Sequence, residues 1–280
     1  MTDPLVTTAW LAQHLTDPDV QVVDATWYMP TEGKQGRHTF EAGHIPGAVF
    51  FDIDEIADRE TDLPHMLPSP EAFAQAAGEL GLRRDETVVV YDAQGMFSAP
   101  RVWWTLRTMG FSKVFVLDGG LPKWQADGHA ITDGPGAPIP TQVAPAFKPE
   151  LVRSLADVTG VLQTHAAQIV DARPAARFRG ETPEPRPGLR GGHMPGACNV
   201  PFGTLINPDG TLKSAEELRA AFAAAGVDLS KPIVTTCGSG VSASVLALAL
   251  ARLGRDDVAV YDGSWTEWGG RPDTAIVTGA

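Results

Sequence analysis

The sequence predicts an α/β fold made of two tandem domains, each a mainly parallel sheet with helices on both faces. Three observations lead to this prediction. Short β-branched runs alternate with stretches of helical spacing, the whole pattern occurs twice, and a proline-rich segment separates the two copies. Strand–helix alternation is typical of parallel sheets, whose crossover connections place helices on both faces. The 280 residues are enough for two domains of ordinary size.

The repeat is visible in the order of its motifs. The first half contains VQVVDATW, then FEAGHIPGAVFFDI, then TVVVYDAQG followed by a helix and a strand that ends in Asp-Gly. The second half contains AQIVDARP, then RGGHMPGACNVPF, then PIVTTCGSG with the same continuation. Because there are only two copies, they indicate a duplicated domain rather than a solenoid.

Buried strands are predicted at six short β-branched runs bounded by turns: Gln21–Val23, Thr87–Tyr91, Val114–Leu117, Gln168–Val170, Ile233–Thr236 and Val258–Tyr261. Between them lie apolar stretches with helical spacing, such as Pro70–Leu80, Ala99–Met109, Ser214–Ala225 and Val241–Leu253. In open parallel sheets, ligands bind at the carboxyl ends of the strands. The turns after Tyr91 and Thr236 are therefore the places to look for a site.

The segment between the copies is GPGAPIPTQVAPAFKP, with five prolines and two glycines. Such a composition sustains neither a helix nor a central strand, so it predicts an extended linker. We expect an N-terminal domain over residues 1–133, a linker over 134–149 and a C-terminal domain over 150–280.

Composition narrows the function classes. The net charge of −12 argues against a nucleic-acid partner, which needs clustered Lys and Arg. No run approaches a membrane span, and the first residues lack the basic and apolar regions of a signal peptide. Two cysteines do not make a disulfide scaffold. We therefore expect a cytoplasmic protein with reduced thiols, acting on small molecules rather than on nucleic acid or a membrane.

The second of these thiols, Cys237, begins the loop Cys-Gly-Ser-Gly-Val-Ser-Ala, which leads from a predicted strand into a predicted helix. Gly238 and Gly240 let the backbone turn tightly, so that successive N–H groups point at one spot. The positive end of the helix dipole adds to them. Such a loop stabilises a thiolate, the form that attacks sulfur. The alternative interpretation is that Cys237 is a small buried residue of the core, but a core position would not need flanking glycines.

The first copy is an internal control. Its corresponding turn carries Asp92 where the second copy carries Cys237. An aspartate cannot carry a persulfide, so we expect the first copy to be chemically silent. Cys198 begins a predicted strand without a glycine loop, and core packing is its expected role.

The duplicated pattern, with a Cys loop in the second half alone, resembles the rhodanese superfamily. Within it, CGSGVSA is similar to the CGSGV(T)A loop of the 3-mercaptopyruvate sulfurtransferase branch, with Ser242 for the usual threonine. Other similar motifs are PHMLP at 64–68, FSAPRVWW at 97–104 and ARFRG…PEPR at 176–186. Phe97 stands where a tyrosine is frequent. The resemblance covers nearly the whole chain and implies two tandem rhodanese-like domains.

The resemblance also implies which residues bind the donor. Arg177 and Arg186 match the two arginines that hold the carboxylate and carbonyl of the substrate, and a guanidinium fork suits a planar keto acid. The loop residues Gly238, Gly240, Val241 and Ser242 complete the predicted binding set. Without the motif, the two arginines could equally be solvated residues of a proline-rich surface loop.

A proton relay is the third implication. By motif, Ser239 of the Cys loop would work with His65 and Asp54 of the first half, at the interface between domains. His65 has no counterpart in the second half, as expected of a catalytic specialisation, although a surface histidine in a proline-rich loop is the competing interpretation. His44 lies in the G-H-x-P-G turn of the first half and His193 in that of the second. Since the histidine is present in the inert copy too, this pattern favours a structural role in the turn.

The function implied is transfer of sulfur from 3-mercaptopyruvate, through a Cys237 persulfide, to a thiol, thioredoxin or cyanide, with release of pyruvate. It requires neither a cofactor nor a metal. Thiosulfate as the donor is one alternative. A Cys-dependent phosphatase and a non-catalytic sulfur-binding module are others; phosphatase loops usually close with an arginine, and the next arginine here is Arg252. The acceptor, the oligomeric state and the discrimination against thiosulfate stay open at this point.

Overall fold

The computed structural model describes residues 3–279 and divides the chain into two compact units. Among the described residues, the first unit comprises 3–59, 67–148 and 207–212, and the second comprises 60–66, 149–206 and 213–279. Each unit contains a five-stranded sheet in which every pairing is parallel. The predicted fold class, two α/β domains with parallel sheets, is confirmed.

The first unit has strand order β1-β5-β4-β2-β3. Its strands are β1 (Leu5–Val6), β2 (Val20–Asp24), β3 (Val49–Phe50), β4 (Thr87–Tyr91) and β5 (Val114–Leu117). Its helices are α1 (Thr8–His14), α2 (Gly36–Ala42), α3 (Pro70–Glu79), α4 (Ala99–Thr108) and α5 (Gly120–Ala126), with a 3-10 turn at Pro30–Glu32. The register of β2 and β4 aligns Asp24 with Tyr91, so the two strands end at the same edge of the sheet.

The second unit repeats this order as β6-β10-β9-β7-β8. Its strands are β6 (Val152–Arg153), β7 (Gln168–Asp171), β8 (Cys198–Asn199), β9 (Ile233–Thr236) and β10 (Ala259–Tyr261). Its helices are α6 (Leu155–Thr164), α7 (Ala175–Phe178), α8 (Ala215–Ala224), α9 (Ala243–Arg252) and α10 (Ser264–Gly270), with 3-10 turns at Pro149–Leu151 and Phe202–Leu205. Asp171 and Thr236 are paired, so β7 and β9 also end together.

Apolar burial explains why the central elements form. Every residue of β9 is buried. Every residue of α9 except Arg252 is buried as well, because this helix is rich in alanine and leucine and is therefore apolar on all sides. The helices that begin after polar turns are capped: Ser154 and Ser214 each form a capping box with an acidic residue three positions later. These caps fix where α6 and α8 begin.

Two segments group differently from the division read off the sequence. Residues 60–66, which include His65, group with the second unit, and residues 207–212 group with the first. Residues 134–148 form no helix or strand. They belong to the first unit, where Thr141 N–H donates to the Gly78 carbonyl at 2.8 Å and Lys148 N–H to the Thr108 carbonyl at 2.8 Å. Backbone hydrogen bonds thus hold the proline-rich segment against the helices of the first unit.

Within the described residues 3–279, no helix combines the length and apolar character needed to cross a membrane.

Candidate active site

Cys237 follows directly on β9 and begins the loop that leads into α9. It is buried, with 2% of its surface exposed. The first turn of α10 holds the loop from one side: Trp265 N–H donates to the Cys237 carbonyl at 2.9 Å, and Thr266 donates to the Gly238 carbonyl from its N–H at 2.8 Å and its hydroxyl at 2.7 Å. Because N–H and C=O point in opposite directions across a trans peptide, the N–H groups of Gly238 and Ser239 face away from α10. The loop can therefore present amide donors to an anion.

The second half of the loop is already the beginning of α9. Gly240 has φ +81°, in the left-handed region that side chains rarely adopt. The carbonyls of Val241 and Ser242 accept from the N–H groups of Ser244 and Val245, each at 3.1 Å. The loop thus ends at a helix N-terminus, where the dipole favours negative charge.

The first copy shows how such a loop surrounds an anion. Asp92, fully buried, stands at the position of Cys237. Its Oδ2 accepts from the N–H groups of residues 97, 98 and 99 at 2.9, 2.9 and 2.8 Å, and its Oδ1 accepts from Gln94 N–H at 2.8 Å. Four amide donors converge on one carboxylate. This occupied loop supports the prediction that the first copy is chemically silent.

Arg177 and Arg186 both reach the Cys loop. A Cβ placed on Gly238 would lie 3.2 Å from Arg177 Nη2 and 4.0 Å from Arg186 Nη1. A side chain at position 238 would therefore lie in tight contact with Arg177. The two guanidinium groups, predicted by motif alone, lie beside the residue that follows Cys237, as a site for an anionic donor requires.

Sequence reasoning missed the residues that hold Arg177. Glu184 accepts from Arg177 through a salt bridge and from Arg173 Nη1 at 2.9 Å. Arg173 is in turn paired with Asp171 at 2.7 Å and stacked over the Trp265 ring, 4.1 Å from its centroid. The carboxylates and Arg173 are about 98–99% buried. The one available sequence signal was the acidic residue in the PEPR motif.

His65 lies beside one of the arginines. It is buried, with 6% of its surface exposed, and has a left-handed φ of 63°. Arg186 Nη2 is 3.5 Å from His65 Nε2. Since a guanidinium only donates, Nε2 is the acceptor in this contact. His65 therefore lies beside Arg186 in the second unit and is not a surface histidine.

The other two members of the predicted relay lie in different units. Ser239 is in the Cys loop and is buried, with 6% of its surface exposed. Asp54 belongs to the first unit, where Trp27 Nε1 donates to its Oδ2 at 2.9 Å. Their joint role with His65 stays a prediction.

The duplicated histidines have matching environments. His44 Nδ1 lies 2.8 Å from the Phe40 carbonyl and stacks on that ring, and His193 Nδ1 lies 2.8 Å from the Phe178 carbonyl and stacks likewise. Both therefore support the turn they occupy.

Cys198 lies in β8, and burial raises the pKa of its thiol, which lowers its thiolate fraction.

No group of three or more His, Cys, Asp or Glu side chains suited to hold a metal ion occurs in the described part of the chain.

Comparison with known proteins also divides the chain into two domains. The family model of the rhodanese-like domain matches the chain twice, over residues 7–127 and 154–271. The 3-mercaptopyruvate sulfurtransferase of Escherichia coli K12 is 49% identical over 270 residues, covering 95% of each chain. The thiosulfate sulfurtransferase of Rattus norvegicus is 43% identical over 284 residues, covering 98% of this chain and 95% of its own.

Among solved structures, SseA from Escherichia coli, described as a 3-mercaptopyruvate sulfotransferase with the "rhodanese" fold, superimposes with a TM-score of 0.87 at 47% identity. The match covers 94% of this chain and 99% of that one. The chain therefore belongs to the rhodanese family.

Proposed function

We propose that this protein is a sulfurtransferase that takes sulfur from 3-mercaptopyruvate onto Cys237 and passes it to a thiol acceptor. The observation that carries the proposal is the placement of Arg177 and Arg186 beside Gly238, one residue after the cysteine. Two guanidinium groups beside the residue that follows the cysteine, in a loop that can present amide donors, suit a donor that carries a carboxylate and a carbonyl.

The chemistry proceeds in two balanced steps. In the first, the Cys237 thiolate attacks the sulfur of 3-mercaptopyruvate, an S–S bond forms, and the C–S bond of the donor breaks. The electron pair of that bond stays on the carbon as the enolate of pyruvate, which takes up one proton. In the second, an acceptor thiolate attacks the outer sulfur of the persulfide and the Cys237 thiolate leaves.

The loop stabilises the charge that these steps move. Amide N–H groups of residues 238–242 would donate to the anionic donor and to the persulfide, as those of residues 94 and 97–99 do to the Asp92 carboxylate. Arg177 and Arg186 would hold the keto-acid end and stabilise the enolate. The relay proposed for Ser239, His65 and Asp54 would deliver the proton.

The acceptor belongs to the class of thiols, thioredoxin included, because the second step requires a thiophilic nucleophile. Cyanide satisfies the same requirement. We propose no cofactor, since both steps use electron pairs supplied by the reactants.

Thiosulfate is the second candidate donor, because the rat protein named for it is 43% identical over nearly the whole chain. The loop argues for the keto acid: residues 238 and 239 are glycine and serine, and neither adds positive charge for a dianion.

One steady-state comparison tests the proposal. Pyruvate or sulfite release is measured with 3-mercaptopyruvate or thiosulfate, on the same preparation and with the same thiol. We expect kcat/KM to be higher with 3-mercaptopyruvate. A higher kcat/KM with thiosulfate would show that thiosulfate is the preferred donor. If neither donor is turned over, the proposal that the protein is a sulfurtransferase is refuted. Cys198→Ser is the matched control, expected to retain the activity.

A further inference from the structure

Arg173 is a deeply buried cation that the proposed reaction does not use. Its side chain is 1% exposed, with Nη2 2.7 Å from Asp171 Oδ2 and Nη1 2.9 Å from Glu184 Oε1. The guanidinium also lies over the Trp265 ring, 4.1 Å from its centroid. A planar guanidinium that is bonded to two carboxylates and stacked on a ring is held in one orientation. Arg173 is therefore a fixed point of the second unit.

One side of Arg173 leads to the Cys loop through Glu184. The Glu184 side chain is 1% exposed and lies between two arginines: its Oε1 accepts from Arg173 Nη1, and its Oε2 accepts from Arg177 Nη2. Arg177 Nε donates to the same carboxylate at 3.3 Å. Arg177 extends to Gly238, where a Cβ would lie 3.2 Å from its Nη2. The direction in which Arg177 approaches the loop thus depends on where Arg173 holds Glu184.

The other side of Arg173 leads to the same loop through α10. Trp265 is the second residue of this helix, and its backbone N–H donates to the Cys237 carbonyl at 2.9 Å. Its ring is fully buried, and the ring Nε1 donates to the Arg190 carbonyl at 2.9 Å. A cation over a buried aromatic ring is attracted more strongly than one over an exposed ring. Arg173 therefore contacts both the carboxylate that holds Arg177 and the helix that holds Cys237.

The first copy shows that the turn after the strand needs no arginine. Thr26 stands where Arg173 stands in the second copy. Its N–H donates to Asp24 Oδ1 at 2.8 Å, as the N–H of Arg173 donates to Asp171 Oδ1 at 2.8 Å. Since the same turn forms with a threonine, the backbone does not account for the arginine. The arginine stands in the copy that carries the Cys loop and Arg177.

We infer that Arg173 is a positioning residue, which sets the place of Arg177 at the Cys loop by acting through Glu184. This inference rests on the proposed function, because that function makes Arg177 a contact of the keto-acid donor. A shift of about 1 Å in a residue that orients the donor costs up to about 100-fold in rate. Loss of the anchor should therefore affect turnover, although Arg173 takes no part in making or breaking bonds.

A double-mutant cycle tests the inference. Arg173→Lys keeps a positive charge, but a single ammonium group lacks the planar fork that bonds Asp171 and Glu184 at once. We expect kcat/KM for 3-mercaptopyruvate to fall about ten- to hundred-fold in Arg173→Lys. In the Arg177→Ala background the same substitution should change kcat/KM by less than about two-fold, since the residue through which it acts is gone. An equal loss in both backgrounds would show that Arg173 acts on the fold or directly on the Cys loop, and would overturn the inference.

Arg190→Lys is the matched control. Arg190 also belongs to the second unit, and it donates to the carbonyls of Trp268 and Gly269, near the end of α10, at 3.2 Å each. Its substitution removes a guanidinium that supports the fold and leaves the anchor of Arg177 in place. Arg190→Lys should lower the unfolding temperature and leave kcat/KM unchanged, whereas Arg173→Lys should lower both. A comparable fall of kcat/KM in both variants would give Arg173 a purely structural role.

Glu184→Gln gives the same test without a change at Arg173. The amide keeps the size of the side chain but has one acceptor oxygen, so it cannot accept from both arginines as the carboxylate does. We expect kcat/KM to fall in the wild-type background and to change by less than about two-fold in the Arg177→Ala background. Unchanged kcat/KM in Glu184→Gln would overturn the inference even if Arg173→Lys did not fold.

A binding measurement separates this inference from the proposed function. Alkylation of Cys237 by iodoacetamide is followed while pyruvate, a keto acid without a sulfur to transfer, protects the thiol. Half-protection should need about ten-fold more pyruvate in Arg173→Lys than in the wild type, and an unchanged concentration when Arg173→Lys is added to Arg177→Ala. If this pattern holds in a protein that does not turn over 3-mercaptopyruvate, the proposed function fails and the positioning role stands. If 3-mercaptopyruvate is turned over and pyruvate protects wild type and Arg173→Lys equally, the positioning role fails and the function stands.

Discussion

Replacing Arg186 by alanine should reduce kcat/KM for 3-mercaptopyruvate by about ten- to hundred-fold, because a charge-assisted contact is worth roughly 1.5–3 kcal/mol. The structure places the Arg186 guanidinium beside Gly238 and 3.5 Å from His65 Nε2. Arg177 also lies beside Gly238, and it holds the buried Glu184 carboxylate in addition. The kinetic loss in Arg186→Ala therefore tests the contact with the donor, whereas Arg177→Ala also disturbs a buried ion pair.

Arg177→Ala should lose activity to a similar degree and stability as well. Removing Arg177 takes one of the two arginines from the Glu184 carboxylate, which is 1% exposed and pairs with Arg173 as well. A buried charge that loses a partner typically costs about 1–3 kcal/mol or more. Arg177→Ala should therefore unfold several degrees below the wild type in a thermal unfolding measurement.

The matched control is Arg179→Ala, in the same segment, whose guanidinium pairs with exposed Glu181. It should change neither kcat/KM nor the unfolding temperature appreciably, since exposed pairs contribute about 0–1 kcal/mol. Unchanged kcat and KM for 3-mercaptopyruvate in Arg186→Ala would refute the assignment of Arg186 to the keto-acid end. Equal losses in Arg186→Ala and Arg179→Ala would refute it as well.

Three further predictions concern His65, Asp24 and Asp92. His65→Ala should lower kcat with 3-mercaptopyruvate by about 10²–10⁴-fold and much less with thiosulfate, because sulfite leaves without needing a proton; equal loss with both donors would indicate a packing role. Burial raises the pKa of Asp24 from 3.8 to about 6, so its neutral form is favoured in the folded state, and the first unit should lose about 3 kcal/mol as pH rises from about 4 to 6. Asp24→Asn should abolish this loss, and a denaturant titration at pH 4 and pH 7 in which variant and wild type change equally would contradict it. Asp92→Ala leaves four amide donors without their acceptor, at about 1–3 kcal/mol for each buried one; unfolding should start earlier while Cys237 still accepts sulfur, and an unchanged unfolding temperature would refute the role given to Asp92.

The central strands could be predicted because they are β-branched, buried and bounded by turns. Thr87–Tyr91, Val114–Leu117 and Ile233–Thr236 were predicted with the bounds that the structure gives. The strands β1, β3 and β6 were missed, since each has two residues and two residues define no period. The strand predicted to begin at Cys198 is β8, which also has two residues. The four-residue helix α7 was missed for the same reason.

The residues of the candidate site also differ in how far the sequence predicts them. Cys237 and its loop follow from local physics, because glycines between a strand and a helix have few other uses. Arg177 and Arg186 needed the family motif, since proline-rich loops carry no periodic signal. Glu184 and Arg173 were not predicted at all: their pairing joins residues eleven positions apart in a buried network that only the folded chain brings together.

The grouping of residues 60–66 with the second unit was also beyond sequence reasoning. PHMLP lies in the first half of the sequence, and the repeat pattern places it with the first copy. The structure instead joins His65 to Arg186, 121 positions later. A segment without helix or strand has no pattern to show which core it lies against.

The most direct test of the account is the mass of the protein after incubation with 3-mercaptopyruvate in the absence of an acceptor. We predict one added sulfur atom, located on the peptide that contains Cys237, present in Cys198→Ser, absent in Cys237→Ser, and removed by a thiol. Sulfur found on Cys198, or an unmodified Cys237 in protein that still releases pyruvate, would contradict the persulfide mechanism.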